Sequence, residues 1–242
     1  MRIAVISDIH ANWHALEAVL ADLDDESPDE VWCLGDLVGY GPQPNRCTTE
    51  TSARSAICLA GNHDLGAIGK LELTDFSPDA ATTARWTTDV LENDCRRYLE
   101  SLEPTGERQA VQMYHGSPRD PVWEYVLSEP AARAALEIAT SDIVLVGHSH
   151  IPIALRLLDG TIAGGLAKGG SDLDLDTGRW LLNPGSVGQP RDGDARAAYL
   201  LLDLEQRHAH FRRVPYDVEA TQAEIRENGL PEELALRLAS GE

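Results

Sequence analysis

Five short motifs concentrate the residues of this 242-residue chain that could do chemistry: Asp8-x-His10, Gly35-Asp36, Gly61-Asn62-His63-Asp64, His115-Gly116 and Gly147-His148-Ser149-His150. They offer three side-chain oxygens, from Asp8, Asp36 and Asn62, and four imidazoles, from His10, His115, His148 and His150, with His63 as a further candidate. Mixed carboxylate and imidazole donors suit Mn, Fe, Zn or Co rather than calcium, and the absence of thiolates argues against a structural zinc knot. Seven donors exceed the needs of one tetrahedral ion. They match two ions sharing a bridging carboxylate and lying roughly 3.5–4 Å apart, the arrangement of binuclear sites that cleave phosphoesters. A hydroxide held between two such ions is nucleophilic near neutral pH, because coordination lowers the pKa of bound water. An imidazole such as His63 can protonate a departing alkoxide.

Residues scattered from 8 to 150 share a pocket only if the fold gathers them, and the sequence supplies the means. Each motif stands at the end of an apolar run: Ile3–Ile6, Val31–Leu34, Ile57–Ala60, Val111–Tyr114 and Ile143–Val146. These runs read as short buried strands. Helical spacing follows the first, at Trp13, Leu16, Val19, Leu20 and Leu23, which implies strand-helix-strand units and a mainly parallel core sheet. Loops leaving the carboxyl ends of such strands meet at one edge, where ligands bind. Singly, an Asp or His after a strand is more often a turn former or a helix cap. Five together in this order are not explained that way.

The five motifs resemble those of the calcineurin-like metallophosphoesterases, and the resemblance extends to Asn183-Pro184-Gly185-Ser186 and Gln189-Pro190-Arg191-Asp192-Gly193. It implies an α/β fold, a two-sheet αββα sandwich of mixed sheets flanked by helices, in one domain spanning 1–242. It places Asp8, His10 and His150 on one metal, Asn62, His115 and His148 on the other, and Asp36 between them. His63 would bind no metal and would stand beside the leaving-group oxygen. The implied cofactors are two divalent ions, manganese first, with Fe, Zn, Co, Ni and Mg as alternatives. The implied activity is that of a metal-dependent phosphoesterase, foremost a phosphodiesterase. Dinucleoside-polyphosphate hydrolysis and phosphomonoester hydrolysis are the alternatives, and a non-catalytic metal-binding scaffold is the rival of another class.

Departures from the family narrow this expectation. The protein Ser/Thr phosphatase branch reads Gly-Asp-x-Val-Asp-Arg-Gly at its second motif, where this chain has Gly35-Asp36-Leu37-Val38-Gly39-Tyr40-Gly41. The missing Arg is the side chain whose planar fork grips phosphate, so a diester or nucleotide substrate is favoured over a phosphoprotein. Arg119 and Arg191 could substitute, against the plainer expectation that they pair with Asp120 and Asp192. Asp64 is expected to cap the helix that follows it, or else to orient His63. Ala11 and Ser149, where many relatives have Gly and Thr, are expected to be tolerated.

Residues 65–103 break the strand rhythm. Ser77 or Asp75 precedes Pro78 as a helix cap, and Ala84, Trp86, Val90 and Leu91 follow at helical spacing. A packed crossover with Trp86 in the core is expected, with a lid over the metals as the alternative. Ile153–Leu158, Thr161–Ala163, Arg179–Leu182, Ala197–Leu204 and His208–Val214 read as strands of a second, more antiparallel sheet, with helices outside both. Val218–Leu238 is helical with a break at Gly229-Leu230-Pro231. Asp172-x-Asp174-x-Asp176 has Thr177 where a calcium loop needs Gly, and reads as a solvated acidic hairpin.

No apolar run approaches the roughly 20 residues of a membrane span, and the N-terminus lacks a signal pattern, so a cytoplasmic protein is expected. Cys33, Cys47, Cys58 and Cys95 have no metal or redox spacing and are expected as free thiols. The formal net charge is -20, with Lys70 and Lys168 as the only lysines. That charge excludes a broad nucleic-acid surface and leaves small phosphate esters or nucleotides as partners, with the oligomeric state unassigned. It also suggests a halophilic setting, since a surface so one-sided repels itself at low salt. The melting temperature is therefore expected to rise between low and molar KCl, and a melting temperature indifferent to KCl would refute the halophilic reading.

Overall fold

A computed structural model describes residues 1–242. The first half alternates strand and helix: β1 (Arg2–Ile6), α1 (Trp13–Glu26), β2 (Glu30–Cys33), α2 (Pro44–Arg54), β3 (Ser55–Cys58), α3 (Asn62–Ala67), α4 (Pro78–Val90) and α5 (Asn93–Glu100). There follow β4 (Thr105–Arg108), β5 (Val111–Tyr114), α6 (Glu129–Ile138) and β6 (Ile143–Val146). Then come β7 (Ile153–Leu158), β8 (Thr161–Leu166), β9 (Asp172–Asp174), β10 (Arg179–Asn183), β11 (Ala197–Asp203) and β12 (His208–Val214), and the chain closes with α7 (Val218–Glu227) and α8 (Glu232–Ser240).

Two six-stranded sheets result, β3-β2-β1-β11-β12-β9 and β4-β5-β6-β10-β7-β8. Both are mixed, as the family resemblance implied, whereas the strand-by-strand reading of a mainly parallel sheet beside a more antiparallel one is corrected. In the first, β1, β2 and β3 run parallel and β11 joins β1 antiparallel. In the second, β5, β6 and β10 run parallel, and β4, β7 and β8 are antiparallel to their neighbours. The five motif-bearing strands are thus divided between the sheets, three in one and two in the other.

The sheets share a dry interface. Ile3, Val5, Trp32, Leu34, Leu59 and Phe211 of the first meet Val111, Met113, Ile143, Leu145 and Leu182 of the second. Alternation along the strands sends the opposite residues outward, where Ala4, Ile6 and Cys33 pack with Leu16, Val19, Leu20 and Leu23 of α1. On the far side, Ala132, Ala135 and Leu136 of α6 cover Val144, Val146 and Leu155. Helix, sheet, sheet, helix is therefore the order of layers.

Local signals explain the boundaries. Asn12 caps α1, its side chain accepting the Ala15 N–H at 3.2 Å. Ser77 caps α4 before Pro78, as the sequence suggested. Trp86 corrects its expectation: it is only half-buried and packs on the cluster of Ile225, Leu230, Ala235 and Leu238 from the C-terminal helices, while Leu91, Cys95 and Leu99 enter the main core. The acidic run at Asp172 is solvated as expected but forms an edge strand rather than a hairpin, its Asp172 bonded to His210 of β12. The short strands β4 and β9 and the helices α2, α5 and α6 had no strong sequence signal. No helix is long and apolar enough to cross a membrane.

Candidate metal centre

The carboxyl ends of β1, β2, β3, β5 and β6 open onto one buried cluster. Asp8, His10, Asp36, His115, His148 and His150 are each at most 3% exposed, and so is Asn62. The donor atoms of Asp8, His10, Asp36 and His150 lie within 4.8 Å of one another. Those of Asp36, His115 and His148 form a second set, and Asn62 Oδ1 stands 3.2 Å from His115 Nε2. Every predicted donor is brought to one place. Asp36 alone belongs to both sets.

Backbone chemistry fixes which ring nitrogen faces the centre. A carbonyl can only accept, so Nδ1–H of His10 donates to Val38 O (3.2 Å), that of His115 to Leu34 O (2.9 Å) and that of His150 to Gln189 O (2.7 Å). Each Nε2 then presents a lone pair inward. The Nε2 atoms of His10 and His150 are 2.9 Å apart with no proton to place between them. Both Asp8 carboxylate oxygens, Asp36 Oδ2 and His148 Nε2 are buried with no hydrogen-bond partner. Buried acceptors facing one another without donors cost free energy unless a cation joins them. That pattern, with hard oxygens and imidazoles mixed, fits divalent metal ions.

The electrostatics agree. Burial pushes Asp8 up to about 7 and Asp36 well above the carboxylate range, with the neighbouring Asp64 adding to the shift in Asp36. Burial likewise holds His148 down to about 2 and His63 to about 3, and lowers His10 and His150 well below their usual value. The imidazoles of His10, His63, His148 and His150 are therefore neutral, and no arginine or lysine is paired with Asp8 or Asp36.

Strained backbone builds the cluster. Asp8, His10, Asp36, His148 and His150 all take left-handed conformations, with φ between 49° and 63°, as do Ala11 and Tyr40. Such residues cost roughly 1–3 kcal/mol each and persist only where surroundings dictate them. Here the loops are laced together. Asp8 N–H donates to Gly35 O, His10 N–H to Asp36 O, Ala11 N–H to Leu37 O and Gly188 N–H to Asp8 O. Asn183, at the end of β10, donates to Gly147 O at 2.7 Å and to Ser149 Oγ at 3.0 Å, and so holds the fifth motif. A Cβ on Gly61 would lie 1.9 Å from Asp36 Oδ1, which only glycine permits.

Asp64 exceeds the helix-capping role expected of it. Its carboxylate accepts the Gly61 N–H as a cap would, and also the N–H groups of Asp36 (2.9 Å), Leu37 (2.9 Å) and Val38 (3.1 Å). It orients the Asp36 loop rather than His63. His63 donates its own backbone N–H to Asp36 Oδ1 at 2.9 Å, and its ring sits 4.8 Å from that of His10 with Nδ1 unpartnered.

Four aromatic residues around the centre carried no sequence signal as site residues. Tyr40 lies 4.3 Å from the His63 ring, Phe76 5.4 Å from it on the other side, Trp123 5.0 Å from Phe76, and Tyr125 stacks on His148 at 4.1 Å. Aromatics are only 5% of the chain, and Trp123-Glu124-Tyr125 falls in the loop after His115-Gly116. That placement was the available clue. The two candidate arginines separate: Arg119 is ion-paired with Glu124 rather than Asp120, whereas Arg191 has no carboxylate partner, because Asp192 is taken by Arg213.

This fold and this donor set define a metallophosphoesterase-type site. The chain belongs to the calcineurin-like phosphoesterase superfamily, whose domain model matches residues 1–207. A crystal structure of a metallophosphoesterase from Sphaerobacter thermophilus superimposes with a TM-score of 0.90 at 42% identity, over 100% of this chain and 99% of that one. An uncharacterized protein of Methanocaldococcus jannaschii is 38% identical over 99% of this chain and 98% of its own length. A symmetrical bis(5'-nucleosyl)-tetraphosphatase of Shewanella baltica is 31% identical over 145 residues, which span 57% of this chain and 52% of that enzyme.

Proposed function

We propose that the chain is a two-metal phosphoesterase in which Asp8, His10 and His150 hold one divalent ion, Asn62, His115 and His148 a second, and Asp36 bridges both. The observation that carries this reading is the setting of Asp36. Its Oδ1 is engaged by the His63 N–H, while Oδ2, without any donor, faces Nε2 of His10 and Nε2 of His115 at 3.5 Å each. Ions bound there supply water of lowered pKa and neutralise charge on phosphoryl oxygens; manganese suits the mixed donors. His63, neutral by burial, meets the substrate as an N–H donor beside the leaving oxygen, with Tyr40 and His10 fixing its ring.

The rim of Tyr40, Phe76, Trp123 and Tyr125 supports a small substrate with an aryl or nucleobase group, since aromatic faces stack on such rings. Phe76 gives the 65–103 segment its part in that wall. A phosphodiester is the preferred substrate. Dinucleoside polyphosphates are a second reading, favoured by the similarity to the Shewanella baltica enzyme. A bare scaffold is disfavoured because no donor is missing. A cytoplasmic setting is supported by the four free thiols.

Turnover of bis-p-nitrophenyl phosphate, p-nitrophenyl phosphate and a dinucleoside tetraphosphate should be measured in molar KCl with manganese, before and after chelation. Chelator-sensitive turnover, diester fastest, is expected; an intact, metal-loaded protein inert toward all three would favour the scaffold. Asp36→Asn is expected to lower occupancy of both ions together, and two ions per chain in that variant would contradict the bridge. His63→Ala should keep its metals yet slow the chemistry by about 10²–10⁴-fold. The loss should be greatest for esters with poor leaving groups, and equal losses across leaving groups would remove the role of hydrogen-bond donor to the leaving oxygen.

A further inference from the structure

Arg191 is a cation set beside the cluster without a counter-charge. Its Nε and Nη2 donate to the side-chain oxygen of Gln189 at 3.2 and 2.7 Å, and its backbone N–H donates to His150 O at 3.3 Å. Nη2 reaches Tyr40 OH at 3.5 Å, and the guanidinium carbon lies 5.8 Å above the Tyr40 ring. Gln189 is itself buried, its N–H donating to Ser186 Oγ and its carbonyl holding His150, so the turn that aims the imidazole also aims the guanidinium.

The choice of partner is informative. Acidic residues outnumber basic ones 40 to 20 in this chain, yet a neutral amide orients Arg191 and leaves its charge uncancelled. Nη1 makes no hydrogen bond to the protein. Tyr40, which Arg191 touches, is held in a left-handed conformation (φ 56°) with its ring against both His10 and His63. A half-buried guanidinium with free Nη1 donors, carried by the loop that bonds His150 and set against the Tyr40 ring that touches His10 and His63, is complemented by an anion.

We propose that Arg191 binds an outer, non-bridging oxygen of the reacting phosphoryl group, so that the guanidinium missing from the second motif at Tyr40 is delivered from the loop after β10 instead. The proposal rests on the phosphoesterase reading above and deepens it. When water adds to a diester phosphorus, one of its protons leaves on the departing ester oxygen and the other passes to solvent, so charge on the phosphoryl oxygens rises from one unit toward two. A fixed guanidinium stabilises that dianion, and the phosphomonoester product, more than the monoanionic diester. The ligand class is thus the dianionic phosphoryl group, with inorganic phosphate as its simplest probe.

The test uses the full manganese-loaded chain and compares wild type with Arg191→Ala and Arg191→Lys. Metal content, melting temperature and calorimetric binding of inorganic phosphate are measured, together with kcat and KM for bis-p-nitrophenyl phosphate. Arg191→Ala is expected to keep both ions and its melting temperature while binding phosphate about 10–100-fold more weakly. The loss in turnover should fall mainly on kcat, with Arg191→Lys intermediate and added guanidinium ion restoring part of the rate of the Ala variant. Phosphate affinity within about threefold of wild type, with metals retained, would overturn the assignment. So would loss of metal from both variants, which would make Arg191 a prop for the His150 loop. A wild-type protein that binds metal but neither binds phosphate nor turns over the diester would bring down the phosphoesterase reading itself, and this one with it.

Discussion

The Asp64 carboxylate is the interaction on which the centre depends. Four backbone N–H groups converge on it, three from the loop after β2 and one from the start of α3. Those bonds hold Asp36 in its left-handed conformation and bring Gly61 so close to the Asp36 side chain that no Cβ fits between them. The position of Asp36 sets where its free oxygen points, and that oxygen is the one atom shared by both donor sets. Asp64 is wholly buried and is pushed up to about 6 by burial, even with its backbone donors opposing the shift. One buried charge is thereby tolerated in order to aim another.

Much of the centre was legible in the sequence because its chemistry is written in residue types that seldom cluster by chance. All seven donors and His63 meet where the strand ends were expected to meet. The strands at Ile153, Ala197 and His208 and the helix break at Gly229 were legible for the same reason, namely a clean period ending in a turn residue. What escaped was long-range. Nothing in the alternation of β5 and β6 tells which sheet they join, because that depends on pairing with β10, reached only after residue 179. The work done by Asp64 escaped because its extra partners are backbone groups 26 to 28 residues away. Arg213 took Asp192 from Arg191 by the same kind of distant contact.

The surface and the centre follow opposite electrostatic rules. Outside, acids are in large excess, and many arginines are used up in ion pairs such as Arg2 with Glu26, Arg108 with Glu30 and Arg212 with Asp22. Inside, the carboxylates stand without cations and the one nearby guanidinium stands without a carboxylate. An overall negative field does not draw an anionic ester inward. Attraction for such a ligand must come from short-range positive charge at the centre, where low dielectric strengthens it and salt screens it least.

The division of the donors between the sheets has a consequence for the core. One set takes Asp8, His10 and Asp36 from the loops of the first sheet and His150 from the second; the other takes Asp36 and Asn62 from the first and His115 and His148 from the second. The centre is therefore a gauge of how the two sheets are seated on each other. Trp32 and Phe211 on one side and Met113 and Leu145 on the other, buried in the apolar interface, set that seating. Core packing and ligand geometry are thus one variable, and a repacked sandwich would alter metal affinity with every donor side chain left in place.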